Sequence, residues 1–176
     1  MNGKIGIDIS FNNAYKTFDA EASSNRILVH PNTPNNLRFN LNYDFLSVGY
    51  QISPDFLPSN GVNEEKGKTK SFRFGTNLVF KHWFSEIEYS KVTGFFLKNT
   101  TDYDANWLSG DPFIQYPYLR YDGFSLTVGY IQNSKFSMRS LTNQTERQLK
   151  SAGTFLPVFN IDYYVLNDIS YTTGSS

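Results

Sequence analysis

Apolar and polar residues alternate with a period of two along most of the chain. Between Ile5 and Phe11 every second residue is apolar, and the residues between them are small or polar. Successive side chains of a β-strand point to opposite faces, so this pattern places the apolar side chains on one face. The same alternation recurs at residues 37–43, 46–52, 72–80, 83–89, 124–130 and 159–165. With a weaker segment near Arg26 to His30 and a further strand beginning near Phe136, we predict about nine strands.

The connections between these strands are of two kinds. Three are tight turns, at Asp44-Phe45, Lys81-His82 and Gln132-Asn133-Ser134. They alternate with three long connections, at residues 53–69, 98–118 and 144–154. Because successive antiparallel strands reverse direction, we expect every tight turn at one end of the sheet and every long loop at the other.

These patterns predict an all-β fold, an antiparallel up-and-down transmembrane β-barrel. The 12 Tyr and 16 Phe are many for a chain whose mean hydropathy is -0.43, so aromatic and polar residues share the same segments. Large aromatic side chains recur at strand ends, where membrane barrels have their aromatic girdles: Tyr43, Tyr50, Phe80, Trp83, Tyr89 and Tyr130. Lipocalin-like barrels and β-sandwiches show the same alternation with the faces reversed, and they stay open as alternatives.

Length and charge narrow the classes further. A chain of 176 residues suits one domain, so we expect residues 1–176 to form a single barrel domain or the N-terminal part of one. Sixteen basic and sixteen acidic residues give no net charge, which argues against nucleic acid as a partner. No cysteine is present for a disulfide framework or zinc knuckle, and no apolar run approaches the length of a membrane helix.

Several segments resemble an uncharacterised family, domain of unknown function 4421 of the Bacteroidota. The resemblance rests on residues 66–72 and 146–155, and on the shorter motifs at 31–34, 54–58 and 110–112. It implies an outer-membrane β-barrel and no known activity. Family members are longer, and this chain does not end in an amphipathic strand with a terminal aromatic residue. We therefore expect it to be an N-terminal portion of a larger barrel.

Charged residues occur singly among the polar positions of the predicted strands. If the apolar face meets lipid, these side chains project into the barrel lumen: Arg38, Arg73, Glu86, Glu88, Arg139 and Asp162. Buried charges need partners, so one interpretation is an internal salt-bridge network that makes the barrel rigid. The other is a charged constriction that selects polar solutes.

Other candidate chemistry is weak. Neither His30 nor His82 belongs to a catalytic or metal-binding motif, and the aspartates at 102, 104 and 111 lack the spacing of a calcium loop. Glu86 and Glu88 lie side by side on one strand without a sugar cleft, so a glycosidase is not indicated. We expect no catalytic residue, no metal site and no cofactor. The lysines at 66, 68 and 70 alternate at a strand entry, where they could meet lipopolysaccharide phosphates.

The sequence thus predicts a non-enzymatic protein of the bacterial outer membrane, acting as a scaffold or assembly component or as a small pore. Its expected partners are membrane lipid or lipopolysaccharide, with other envelope proteins as a further candidate. Two alternatives remain: an outer-membrane barrel enzyme, such as a lipid hydrolase with catalytic residues outside this chain, and a soluble ligand-binding β-barrel.

Overall fold

The computed structural model describes residues 5–22, 25–142 and 145–168. The described part contains nine β-strands: β1 Ile5–Asn12, β2 Phe18–Ala22, β3 Asn25–His30, β4 Asn36–Tyr43, β5 Leu46–Ile52, β6 Lys70–Val79, β7 Trp83–Leu97, β8 Gln115–Tyr130 and β9 Val158–Asp168. Two one-turn helices, α1 Asn63–Lys66 and α2 Met138–Leu141, and a 3₁₀ turn at Thr100–Asp102 lie between strands. No helix in these ranges is long and apolar enough to cross a membrane.

All nine strands belong to one antiparallel sheet. Seven of them follow the order β1-β4-β5-β6-β7-β8-β9, and the β2–β3 hairpin is attached to the far end of β7 through Val29 and His30. Within the described residues β1 pairs with β4 alone and β9 with β8 alone, so the sheet is open here. The prediction of an all-β antiparallel fold is confirmed, whereas a closed barrel is not present in the described part.

The tight turns at 44–45 and 81–82 are confirmed, but the third hairpin is wrong. No strand begins near Phe136. The segment forms α2 instead, where Ser137 caps the helix by accepting a hydrogen bond from the Ser140 amide. Residues 131–157 are therefore one long connection between β8 and β9. The described parts of this connection, residues 131–142 and 145–157, begin at the same end as the two tight turns, because the Ile131 amide donates to the His82 carbonyl at 2.8 Å. The predicted separation of short turns and long loops is thus incorrect for this connection.

The two faces of the sheet differ in the way that the alternation predicts. On central strands, apolar side chains of one face are exposed, with Leu41 52% and Tyr50 46% accessible. Polar side chains of the opposite face are buried, with Gln51 5% and Ser47 6% accessible. We call these the apolar face and the polar face.

The apolar face is layered. The register aligns one aromatic row across six strands: Phe39, Tyr50, Phe74, Tyr89, Phe124 and Tyr163. The next row towards the tight turns is mainly aliphatic: Ile7, Leu41, Val48, Thr76, Ile87, Leu126 and Ile161. At the turns themselves aromatic rings return, with Phe45 stacked on Phe80 at 5.2 Å and Trp83 against Tyr130 at 4.9 Å. An aliphatic band therefore lies between two aromatic borders.

The long-loop end holds a small apolar core. A β-bulge between Thr93 and Phe95 turns Phe95 into a small apolar core with Val29, Val92 and Tyr121. Gly94 at this bulge has φ of 87°, and a Cβ there would lie 2.1 Å from the Lys68 carbonyl oxygen. The position thus requires glycine, since the loop after β5 crosses directly against the strand.

Candidate functional site

The polar face is a continuous surface across seven strands. One register row crosses it from edge to edge and consists of Asp8, Asn40, Gly49, Gly75, Glu88, Ser125 and Asp162. Its members are acidic, amide-bearing or small. The two glycines fall at the centre of the row, where they leave room for long side chains from neighbouring positions.

Arg38 occupies this room. Its Nε donates to Asn40 Oδ1 at 2.9 Å, and Asn40 Nδ2 donates in turn to Asp8 Oδ1 at 3.1 Å. A Cβ on Gly49 would lie 2.6 Å from Asn40 Oδ1 and 3.0 Å from Arg38 Nη2. At Gly75 the nearest atom to such a Cβ is 3.5 Å away. The Arg38 guanidinium therefore depends on glycine at position 49 more than at position 75.

Arg73 and Glu88 form an ion pair on the same face. Arg73 Nε lies 3.2 Å from Glu88 Oε1, and the two side chains are only 21% and 18% exposed. A charge that has lost most of its water needs a partner, and here each supplies the other. The arrangement holds adjacent strands β6 and β7 together from the polar side.

The other predicted charged residues have different surroundings. Glu86 lies on the polar face and is exposed, in register with Asn77 and Thr127. Asp162 lies on the polar face of β9 and accepts a hydrogen bond from Asn160 Nδ2. Five of the six residues thus share one face, and the sixth does not.

Arg139 is the exception, because it lies in α2 rather than on a strand. Its Nε donates to the Val79 carbonyl at 2.9 Å, and its Nη1 contacts Asp44 at 2.6 Å and Glu146 at 3.1 Å. It ties the long connection to the tight turns. The prediction that it follows a strand on the polar face is corrected by the helix at 138–141.

The connection from β1 to β2, residues 13–17, crosses the polar face, and we call it the strap. Asn36, almost fully buried, donates from Nδ2 to the Ala14 carbonyl at 2.7 Å and so fixes the strap over the strands. The space left between the strap and the side chains of Gln51, Arg73 and Ser90 is about 10 Å³. That volume is roughly enough for one water molecule.

Beyond the strap the polar face is covered by an apolar contact. Phe18, at the start of β2, packs against Phe95 at 5.6 Å and Tyr121 at 5.5 Å. A cavity of 340 Å³ remains beside it, bordered by Lys16, Glu88, Asp162 and neighbouring residues. The polar face is therefore filled at the long-loop end and partly open towards β9.

The long-loop end is held by buried amide side chains. Asn60 Oδ1 accepts from the Asn35 amide at 3.0 Å, and Asn60 Nδ2 donates back to the Asn35 carbonyl at 2.8 Å. Thr69 Oγ1 accepts from the Asn32 amide at 2.8 Å and donates to the Gly94 carbonyl at 2.7 Å. Asn60 Nδ2 also donates to the Pro54 carbonyl at 2.9 Å, so these bonds bring together the segments around the motifs at 31–34, 54–58 and 66–72, which are far apart in sequence.

The pKa values of His30 and Asp19, both at this end, are lowered. Burial, and then the nearby charge of Lys98, lower the pKa of His30, whose ring lies 6.2 Å from those of Tyr15 and Phe96. A hydrogen bond from Arg26 holds the pKa of Asp19 below its usual range, although both groups are exposed.

The loop aspartates have structural partners. Asp104 and Asp111 accept backbone hydrogen bonds from Asn106 and Leu108, at 3.0 and 2.9 Å, while Asp102 accepts from Asn99 Nδ2 at 2.8 Å. In the ranges that the structure describes, no group of three His, Cys, Asp or Glu is arranged to hold a metal ion. Of the alternating lysines, Lys66 lies 5.8 Å from the centre of the Phe96 ring and Lys68 lies 3.8 Å from Asp55.

The strap and the buried asparagines are features that sequence reasoning missed. The dense run of Pro and Asn at residues 31–36 is a sequence signal for the buried asparagines, since such residues satisfy the backbone groups of loops. Nothing in the local pattern of residues 13–17 indicates that this segment forms the strap.

Comparison with known proteins gives one family. The family model with the description "Domain of unknown function (DUF4421)" matches residues 2–172, nearly the whole chain. No curated protein and no solved structure matches the chain.

Proposed function

Since the chain belongs to the DUF4421 family, whose description gives no activity, we propose from the structure of its sheet that the protein is a non-enzymatic β-barrel of the bacterial outer membrane. Its proposed role is that of a scaffold or assembly component, held in the bilayer by its strands. Lipid is the partner that this proposal requires.

The observation that carries the proposal is the reversed burial on the central strands. A soluble barrel buries its apolar face, whereas here Leu41 and Tyr50 are exposed while Gln51 and Ser47 are buried. An exposed apolar surface of this extent needs to be covered, by a membrane or by another protein. The layering of aromatic, aliphatic and aromatic rows matches what a bilayer presents, namely two interfaces around a hydrocarbon core.

The dimensions support the same environment. From Trp83 to Tyr89 the apolar face of β7 runs between the two aromatic borders, a distance of roughly 20 Å at about 3.3 Å per residue. Outer-membrane barrels have an apolar band of about 25 Å. The lipid-facing band of the sheet is thus of the right order for a thin membrane.

A barrel also requires closure. Six successive antiparallel pairings lead from β1 to β9, so these two edge strands run in the same direction. An up-and-down barrel therefore needs an odd number of further strands between them, which gives an even total without counting the β2–β3 hairpin.

A scaffold is favoured over a pore because charged and aromatic side chains already occupy much of the polar face. Arg73 of the Arg73–Glu88 pair borders the strap, the Arg38 network lies on the same face, and the Phe18 contact covers the long-loop end. A water path through the barrel would have to displace these groups.

The test is reconstitution of the full chain into phosphatidylcholine vesicles and planar bilayers. We expect a β-rich far-ultraviolet spectrum in the presence of lipid, protection of the strands from protease, and no discrete conductance steps. A folded monomer in detergent-free buffer would contradict the membrane location. Regular conductance steps would favour the small pore instead of the scaffold.

A further inference from the structure

The connection between β8 and β9 forms a concave surface at the tight-turn end, which we call the basic pocket. It has a volume of 850 Å³ and is bordered by Phe80, Lys81 and residues 134–139 and 146–152. Nothing in the proposed scaffold role uses it.

The pocket is built by hydrogen bonds rather than by a loose loop. Arg139 joins its wall to Val79 and Asp44, and Thr145 Oγ1 donates to the Asp44 carbonyl at 2.8 Å. Opposite, the Ser137 amide donates to Gln148 Oε1 at 3.0 Å. The two halves of the connection are thus fixed to each other and to the turn after β4.

The charges around it are strongly unbalanced. Five cations border the pocket: Lys81, Lys135, Arg139, Arg147 and Lys150. Its one carboxylate is Glu146, which already contacts Arg139 and accepts from Ser137 Oγ at 2.7 Å. Within the described residues no ion pair involves Lys81, Lys135, Arg147 or Lys150. Four cations around one concavity form a site for an anion with several charged oxygens.

The apolar residues that border the pocket restrict the chemical class of ligand that would fit it. Phe80 borders the pocket and also stacks on Phe45 in the aromatic border of the apolar face. Leu149, which is 82% exposed, also borders the pocket. A ligand with an anionic head in the pocket would therefore have its apolar part beside the face that we assign to lipid.

We propose that the basic pocket binds the phosphate headgroup of an anionic membrane lipid, with the acyl chains lying along Phe80 and Phe45. The inference rests on the proposed membrane location. It adds a specific lipid site at the tight-turn end, where the cations at 135, 147 and 150 recognise the headgroup.

Trp83 provides the probe, because it lies on the apolar face beside the turn that borders the pocket. The chain has two tryptophans, so Trp107→Phe leaves Trp83 as the sole indole fluorophore. The full chain with this substitution is inserted into phosphatidylcholine vesicles that contain a small fraction of brominated phosphatidylglycerol or brominated phosphatidylcholine. Bromine quenches Trp83 on contact, so quenching by each lipid reports its local concentration.

We expect brominated phosphatidylglycerol to quench Trp83 as if enriched about tenfold over its bulk fraction, because each basic residue near the surface adds to the attraction for anionic lipid. The pocket variant Lys135→Gln/Arg147→Gln/Lys150→Gln should lose this enrichment and keep ordinary quenching by brominated phosphatidylcholine. The charge-preserving variant Lys135→Arg/Arg147→Lys/Lys150→Arg should retain it. The matched control Lys68→Gln/Lys70→Gln/Lys98→Gln removes equal charge at the long-loop end and should also retain it.

Equal enrichment in the wild type and the pocket variant, with both folded, would overturn the inference. If inorganic phosphate at an equal concentration displaced the bound lipid, the ligand would be free phosphate, and the proposal that the pocket binds a lipid headgroup would be overturned. If brominated phosphatidylcholine does not quench Trp83, the membrane proposal itself fails. The pocket is then judged by sedimentation with phosphatidylglycerol vesicles, and the pocket inference survives only if that sedimentation is lost in the pocket variant.

Discussion

On the same central strands, Leu41 and Tyr50 of the apolar face are exposed, while Gln51 and Ser47 of the polar face are buried. The backbone is common to both faces, so the difference comes from what covers each. The polar face is covered in part from within the chain, by the strap, by ion pairs and by Phe18. The apolar face is covered by nothing in the described chain. The comparison teaches that this fold covers much of its polar face with its own residues and leaves its apolar face exposed.

The largest expected effect comes from a charge on the apolar face. Leu41→Arg lies in the middle of the aliphatic row, where an arginine in a bilayer costs about 2–4 kcal/mol. We expect the free energy of unfolding from vesicles to fall by that amount, measured by urea titration of tryptophan fluorescence. Leu41→Phe is the control and should change stability little. A neutral result for Leu41→Arg in vesicles would remove the lipid-facing assignment.

The next effect concerns the ion pair of the polar face. Glu88→Gln leaves Arg73 mostly buried without a charged partner, and we expect a loss of about 2 kcal/mol in the same titration. The double variant Arg73→Gln/Glu88→Gln should lose less than the sum of the two single variants, with a coupling of about 1–2 kcal/mol. Strict additivity would show that the two side chains do not interact in the folded protein.

A smaller effect separates two glycines of the same row. Gly49→Ala displaces Asn40 and Arg38 from their hydrogen bond, so we expect a loss of about 1 kcal/mol. Gly75→Ala meets no atom closer than 3.5 Å and should be neutral or slightly stabilising. Equal effects of the two substitutions would contradict the packing of Arg38 over Gly49.

The smallest effect is a pH dependence at the long-loop end. Burial and Lys98 lower the pKa of His30, with only Asp19 acting in the opposite direction. Because the folded-state pKa lies below the unfolded value, the contribution of His30 is present above about pH 6.5 and is lost as pH falls through the folded pKa. We expect a slightly lower urea midpoint at about pH 5.5 than at about pH 7.5. His30→Gln should reduce this difference between the two urea midpoints, and His82→Gln should leave it unchanged. If His82→Gln reduced the difference and His30→Gln did not, the pH dependence would arise at the tight-turn end.

Part of the polar-face site was predictable and part was not. Arg38, Arg73, Glu86, Glu88 and Asp162 share a face because residues two apart on a strand share one, and pairing in register preserves this across the sheet. Arg139 was misassigned because the segment after β8 has too few alternating positions to distinguish a strand from a capped helical turn. The predicted lumen role of these residues remains a proposal.

By itself the sequence determined the strands with strong alternation, the two faces of each strand and the turns at 44–45 and 81–82. These features depend on the geometry of the strand backbone, which repeats every two residues and can therefore be recognised within a short segment of sequence. Only the tertiary structure decided that β1 pairs with β4, that the strap crosses the polar face, and that Ile131 and Arg139 of the β8–β9 connection contact the tight turns. Each of these is fixed by contacts between residues distant in sequence, such as Asn36 with Ala14 and Arg139 with Asp44, and no local period encodes such contacts.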